Sequence, residues 1–227
     1  MATSGSKSVA VTSWDTLKFS WSENSQSVTN NTTTISWTLQ LIATSSGYIS
    51  SSASKSWSVT VNGTKYSGTN TVGISNNSTK TLASGTTVIA HASDGTKSFN
   101  YSFSQQFDIN FDGWIGTVSG SGSGTLDTIP RKSTLSVGNG TLGVEQTLTI
   151  TEMASSFTHK VYAESGTSGK VYILGTASAT STSLSFKWTP PDSLARQNTA
   201  GTSVSVKFTL QTYSGSTLIG SNSYTKS

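Results

Sequence analysis

Cysteine is absent from all 227 residues, which removes a disulfide framework, a thiolate zinc site and a thiol nucleophile together. Histidine occurs twice, at His91 and His159, one in each half of the chain, so no paired-imidazole spacing for a metal exists. Charge is equally scarce. Asp, Glu, Lys and Arg make up 11% of the chain, under half the usual share, and the basic residues are scattered, with Arg131-Lys132 the one adjacent pair. The net charge of +4 therefore forms no basic stripe, and nucleic acid is not expected as a partner. No apolar run approaches the length of a membrane-spanning helix, and the opening MATSGSKSVAVTSW lacks a charged segment followed by an apolar one. Synthesis in the cytoplasm without a signal peptide, and no membrane insertion, are the expectations. Nucleophile-elbow, phosphate-loop and zinc-protease motifs are missing too, so the chain is read as a non-enzyme with no cofactor.

What is present is Ser, Thr, Gly and Asn, with 33% hydrophobic residues and six Trp. The apolar residues alternate. Phe99, Tyr101, Phe103, Phe107, Ile109 and Phe111 occupy odd positions with polar residues between them, the period of a strand with one buried face. Leu17, Phe19 and Trp21, then Ile35, Trp37, Leu39 and Leu41, repeat the pattern. Trp57, Val59 and Val61 run into Asn62-Gly63, the dipeptide best suited to a type I′ hairpin turn. The aromatic residues Phe19, Trp21, Trp37, Trp57, Phe99, Phe103 and Phe111 lie in phase with their strands and are expected in a core. The alternating Ser and Gly of 119–124 are read as unable to build one. Helical spacing is absent, apart from a helix-capable run in TPPDSLARQN at 189–198.

The fold class expected is all-β, two antiparallel β-sandwich domains, the second immunoglobulin-like because about seven short strands follow Ser133. The boundaries expected are a polar N-terminal segment at 1–13, a jelly-roll or lectin-like sandwich at 14–125, a linker at 126–132 and the second sandwich at 133–227.

Two chemistries are worth weighing. Saccharide binding needs an exposed aromatic face with amides or carboxylates beside it. Trp114, at the turn after the long ribbon and beside Asp112, is the leading candidate, followed by Trp14, Tyr48 and Tyr66. Each is weighed against service as a lid on the core. DINFDG at 108–113 spaces Asp108, Asn110 and Asp112 as in the first half of a calcium loop, but the position of the bidentate glutamate is Ser119. A solvated strand end is the preferred reading, and no metal is expected.

Three segments carry a resemblance: LKFSWSENSQSVTNNTTTISWTLQL at 17–41, SKSWSVTVNGTKYSGTNTVGI at 54–74 and TLASGTTVIAHASDGTKSFNYSFSQQFDINFDGWIGTVSGSGSGTLDTIPR at 81–131. Together they resemble minor tail structural proteins of siphophages infecting streptococci and related Gram-positive bacteria. FTHKVYAESG at 157–166 and FKWTPPDSLA at 186–195 look like the immunoglobulin-like module that follows in such proteins. The resemblance implies a virion protein of the tail or particle surface, assembled with other virion subunits, as a homo-oligomer; the binding expectation set beside it is host adhesion through cell-wall polysaccharide. A tail spacer or capsid decoration without a ligand is the alternative.

Overall fold

A computed structural model describes residues 3–111, 113–165, 171–178, 183–197 and 200–227. The chain divides into two compact units, Met1–Ile129 and Pro130–Ser227. Strands dominate both; the described residues contain no α-helix, and no helix long and apolar enough to cross a membrane.

The first unit contains β1 (Ser4–Ala10), β2 (Asp15–Ser27), β3 (Thr32–Ala43), β4 (Ser54–Val61), β5 (Thr64–Thr71), β6 (Thr79–Ala90), β7 (Ser98–Asn110) and β8 (Trp114–Thr125). They form two four-stranded sheets, ordered β1-β2-β3-β6 and β5-β4-β7-β8. Strict alternation makes the sandwich: in β3 every second residue from Thr33 to Ala43 is buried, so one face is apolar and the other carries Ser, Thr and Gln. Between the sheets Phe19 stacks on Tyr101 and Phe103 with ring centroids 4.7 and 5.6 Å apart, and Trp21 meets Phe99 edge-on at 5.0 Å. The Asn62-Gly63 turn has φ of 48° and 84°, the positive pair a type I′ hairpin requires.

The Ser and Gly run of 119–124 overturns its reading. It is the second half of β8, a regular strand paired with β7. Gly120, Gly122 and Gly124 stand directly opposite Phe103, Tyr101 and Phe99, and their bare backbone is the floor on which those rings lie. A Cβ on Gly120 would come within 2.6 Å of Phe103 Cζ and 2.8 Å of Val9 Cγ2. The same device recurs at Gly5 under Trp21, Gly68 under Trp57 and Gly85 under Trp37, each a cross-strand pair. An aromatic ring covering a strand glycine restores the packing that the missing side chain forfeits.

The two stretches outside the expected sandwiches are both built into the units. The polar N-terminal segment is structured, because Ser4–Ala10 pairs with β2 along its whole length. The stretch expected as a linker is shared out between the units. Leu126 and Ile129 are buried in the first, their amides bonded to Lys97 O and Gly95 O, while Asp127 accepts a hydrogen bond from Thr3. Arg131 donates to Ile219 O and the Ser133 amide to Thr212 Oγ1 in the second.

The second unit holds β9 (Thr134–Ser136), β10 (Gln146–Thr151), β11 (Phe157–Ser165), β12 (Val171–Ser178), β13 (Ser183–Trp188), β14 (Val206–Ser214) and β15 (Thr217–Lys226). Its sheets are ordered β13-β10-β9 and β12-β11-β14-β15. Leu135, Leu148 and Ile150 from one pack against Val161, Ala163, Phe208 and Leu210 from the other in one core. The TPPDSLARQN run contains a short 3₁₀ helix, Asp192–Gln197, which buries Leu194.

Candidate functional site

Four connections meet at one end of the first unit: β1–β2, β3–β4, β5–β6 and β7–β8. Backbone hydrogen bonds stitch the first three together, and a ring contact joins the fourth. Thr44 N donates to Trp14 O, Asn77 N to Thr44 O and Ala43 N to Ser78 O, and Ile49 and Ile74 exchange a pair of bonds. The β1–β2 turn is rigid because the Thr12 hydroxyl donates to Asp15 Oδ2 while accepting from the amides of Trp14 and Asp15. Gly47 passes so close that a Cβ there would lie 2.5 Å from Asp15 Oδ1 and 2.9 Å from Trp14 O. Trp14 is thereby held edge-on to Phe111, ring centroids 5.7 Å apart.

Three of the aromatic candidates fall at this end. Trp114, which opens β8, is 70% exposed; Tyr48, next to Gly47, is 51% exposed; Trp14 is 39% exposed. Asn110 is the cross-strand partner of Trp114 and is itself exposed. Asp112 lies outside the described residues. Phe111, expected in the core, is half-buried and serves as the wall behind Trp14. Tyr66 does not belong to the group. Its ring packs on Trp37 at 5.0 Å and its hydroxyl lies within 3.1 Å of Thr86 O and 3.0 Å of Thr87 Oγ1, closing the gap between β5 and β6.

Two lysines near this end have partners among the described residues. Lys80 donates to Thr71 Oγ1 and Gly73 O, and Lys55 pairs with Asp108 at 3.4 Å. Asp108 sits in a β-bulge at φ 47°, where Asp tolerates the left-handed region, and also accepts from Gln106 Nε2. Its carboxylate is thus turned toward a lysine and an amide, unlike the cation-facing oxygen of a calcium loop, and Asn110 is a strand-end residue opposite Trp114. Three exposed aromatic surfaces with amide and hydroxyl neighbours have the chemistry to meet the apolar faces and hydroxyls of a sugar.

A second polar constellation escaped the sequence reading. In the second unit His159 Nε2 lies 2.9 Å from Ser133 Oγ, and His159 Nδ1 faces Glu152 Oε1 at 3.3 Å. The residue types are those of a hydrolytic triad. All three are buried, however, Ser133 and His159 completely, so no substrate carbonyl can reach the hydroxyl. Burial lowers the His159 pKa and raises that of Glu152. The set anchors the start of the unit: Met153 N donates to Ser133 Oγ and Asn222 Nδ2 to Ser133 O. His91 does the same work in the first unit, its Nδ1 2.7 Å from Gly95 O and its Nε2 2.8 Å from the Thr33 hydroxyl. The available signal was phase: His159 alternates with Phe157, Val161 and Ala163 and so points inward.

Comparison with solved structures gives a likeness to the glycoside hydrolase domain of Spr0440, Endo-D from Streptococcus pneumoniae R6. The identity is 12%, the TM-score 0.28, and the match spans 99% of this chain but only 33% of that one. A similarity so low carries no argument about activity. No curated protein matches. The profile of a siphovirus protein family of unknown function (DUF859) matches residues 16–227, from the second residue of β2 onward. The chain belongs to that siphovirus family.

Proposed function

We propose that the protein is a non-enzymatic component of the phage virion, in the tail or its tip, that helps attach the particle to host cell-surface saccharide. The observation that carries this reading is the gathering of exposed Trp14, Tyr48 and Trp114 at one end of the first sandwich, the loops of Trp14 and Tyr48 being bonded to each other. The second unit is an immunoglobulin-like module that spaces or docks, a reading supported by its three-plus-four strand arrangement. Weak sugar contacts become useful when copies act together, because attachment of one raises the effective concentration of the next. Unpaired edge strands offer the route to a homo-oligomer and to neighbouring virion subunits.

The test is binding of fluorescent protein, free and displayed as an oligomer, to host cells and isolated cell-wall polysaccharide. Saturable binding that soluble polysaccharide competes and Trp114→Ala abolishes is the expected result. No binding even in multivalent display would overturn the attachment role.

The second reading, a spacer or decoration without ligand, is favoured by the outer faces, where rows such as Ser67, Ser58, Ser104 and Ser119 run across β5, β4, β7 and β8. Under that reading, changes on an edge strand block particle assembly while Trp114→Ala does nothing.

A further inference from the structure

The second unit contains a cavity of about 330 Å³ at one end of its sandwich. Trp188, Phe208, Leu142, Leu194 and Val137 line it, and the charged side chain among its lining residues is Lys226. The cavity is built in. Trp188 stands edge-on to Phe208 at 5.5 Å, and Leu194 is delivered by the 3₁₀ helix, its amide bonded to Pro191 O. The loop over it is fastened at two points, Gly140 N to Ser227 O and Gly143 N to Pro190 O. Gln146 packs beneath Gly140, where a Cβ would come within 2.9 Å of its side chain.

Lys226 sets the chemistry. It shares strand phase with Tyr224, which packs against the core, and is half-buried. Two other lysines of this unit are paired, Lys187 with Glu145 at 2.7 Å and Lys207 with Glu164 at 3.9 Å, while Lys160 lies over the Tyr213 ring. Among the described residues no carboxylate pairs with Lys226. A lysine at an apolar cavity without a counter-ion leaves positive charge uncompensated beside surface that water solvates poorly. A cavity near the lower end of the range for ligand pockets, with aromatic walls and one charged side chain, takes a ring or short chain and not a polymer.

We propose that this cavity binds a small amphipathic organic anion, its apolar body between Trp188, Leu142 and Leu194 and its anionic group on Lys226. The site is separate from the aromatic end of the first unit and does not depend on it.

The test uses the whole chain at neutral pH, with decanoate as the anionic probe, decanol as its uncharged counterpart and 1-anilinonaphthalene-8-sulfonate as a fluorescent reporter. Decanoate binds at one saturable site and displaces the reporter. Lys226→Gln weakens decanoate by about tenfold, the scale of one charge-assisted contact, and leaves decanol unchanged. Leu142→Trp, which fills the cavity from a loop position, abolishes both, whereas Trp114→Ala changes neither. Absence of saturable decanoate binding, equal decanoate affinity in Lys226→Gln, or binding that survives Leu142→Trp would each overturn the proposal.

Discussion

His159 Nε2 lies 2.9 Å from Ser133 Oγ while its other ring nitrogen faces Glu152, with all three side chains sealed from solvent. Folding holds the imidazole below its ordinary pKa of 6.5 and the carboxyl above its ordinary 4.5, in both cases through burial. A histidine whose pKa folding lowers takes up its proton more readily in the unfolded chain, so stability falls as pH drops below 6.5. A carboxyl whose pKa folding raises contributes stability at low pH that is lost as pH rises from 4.5 through its raised folded value. Between these limits the two effects oppose each other. Glu152→Gln removes the second, so its melting temperature should fall more steeply than that of wild type from about pH 7 to about pH 5. Thermal unfolding across that range measures it; equal slopes would refute the account.

The glycine floors of β8 predict an unusual cost for the smallest possible side chain. Gly120→Ala places a methyl 2.6 Å from Phe103 Cζ, and overpacking of this kind costs about 1–3 kcal/mol. Ser121→Ala, one residue on and facing out, should stay within about 0.5 kcal/mol of wild type. Denaturant unfolding of the two variants side by side decides whether position or residue type controls the loss.

Trp114 and Tyr66 should separate cleanly. Trp114→Ala removes a side chain that is 70% exposed and is expected to leave stability within about 0.5 kcal/mol while removing saccharide binding. Tyr66→Phe deletes a hydroxyl bonded to β6 and should cost about 1 kcal/mol with binding unchanged. Measuring melting and polysaccharide binding for each variant reads both axes; loss of binding in Tyr66→Phe would move the site away from the loop end.

Calcium should have no effect. Because Asp108 is turned toward Lys55 and Gln106, neither added calcium nor a chelator is expected to move the melting temperature of the chain. A calcium-dependent rise, abolished by Asp108→Asn, would show that the loop is completed by ligands outside this arrangement.

The two units should fold alone. Residues 1–129 and 130–227 each carry their own core, so each fragment is expected to unfold in a single cooperative transition. A fragment lacking a transition by calorimetry would place part of its core in the other unit.

Strand positions were legible wherever apolar residues alternate, as in β2, β3 and β7, because the period of two directly encodes one buried face. β1 was not, since SGSKSVA offers almost nothing apolar and pairs through its backbone. The Ser and Gly run was misread for a related reason: glycine has no hydropathy signal, and its burial is evident only when the ring opposite is known. At the candidate site, exposure at turns marked Trp14, Tyr48 and Trp114, whereas Tyr66, a half-buried strand residue, could be told from them only by the contact with Trp37. The buried Ser133, Glu152 and His159 lie 19 and 7 residues apart in sequence and come from a loop, a strand end and a strand, so no local pattern joins them.

Each strand glycine and the ring above it also behave as one inherited unit. At the pairs Gly120 with Phe103, Gly122 with Tyr101 and Gly124 with Phe99 neither partner can change alone, because enlarging the glycine collides with the ring and shrinking the ring uncovers the glycine. Across the phage lineages that carry this sandwich, these paired positions should therefore drift together or not at all, whereas the serines between them vary freely.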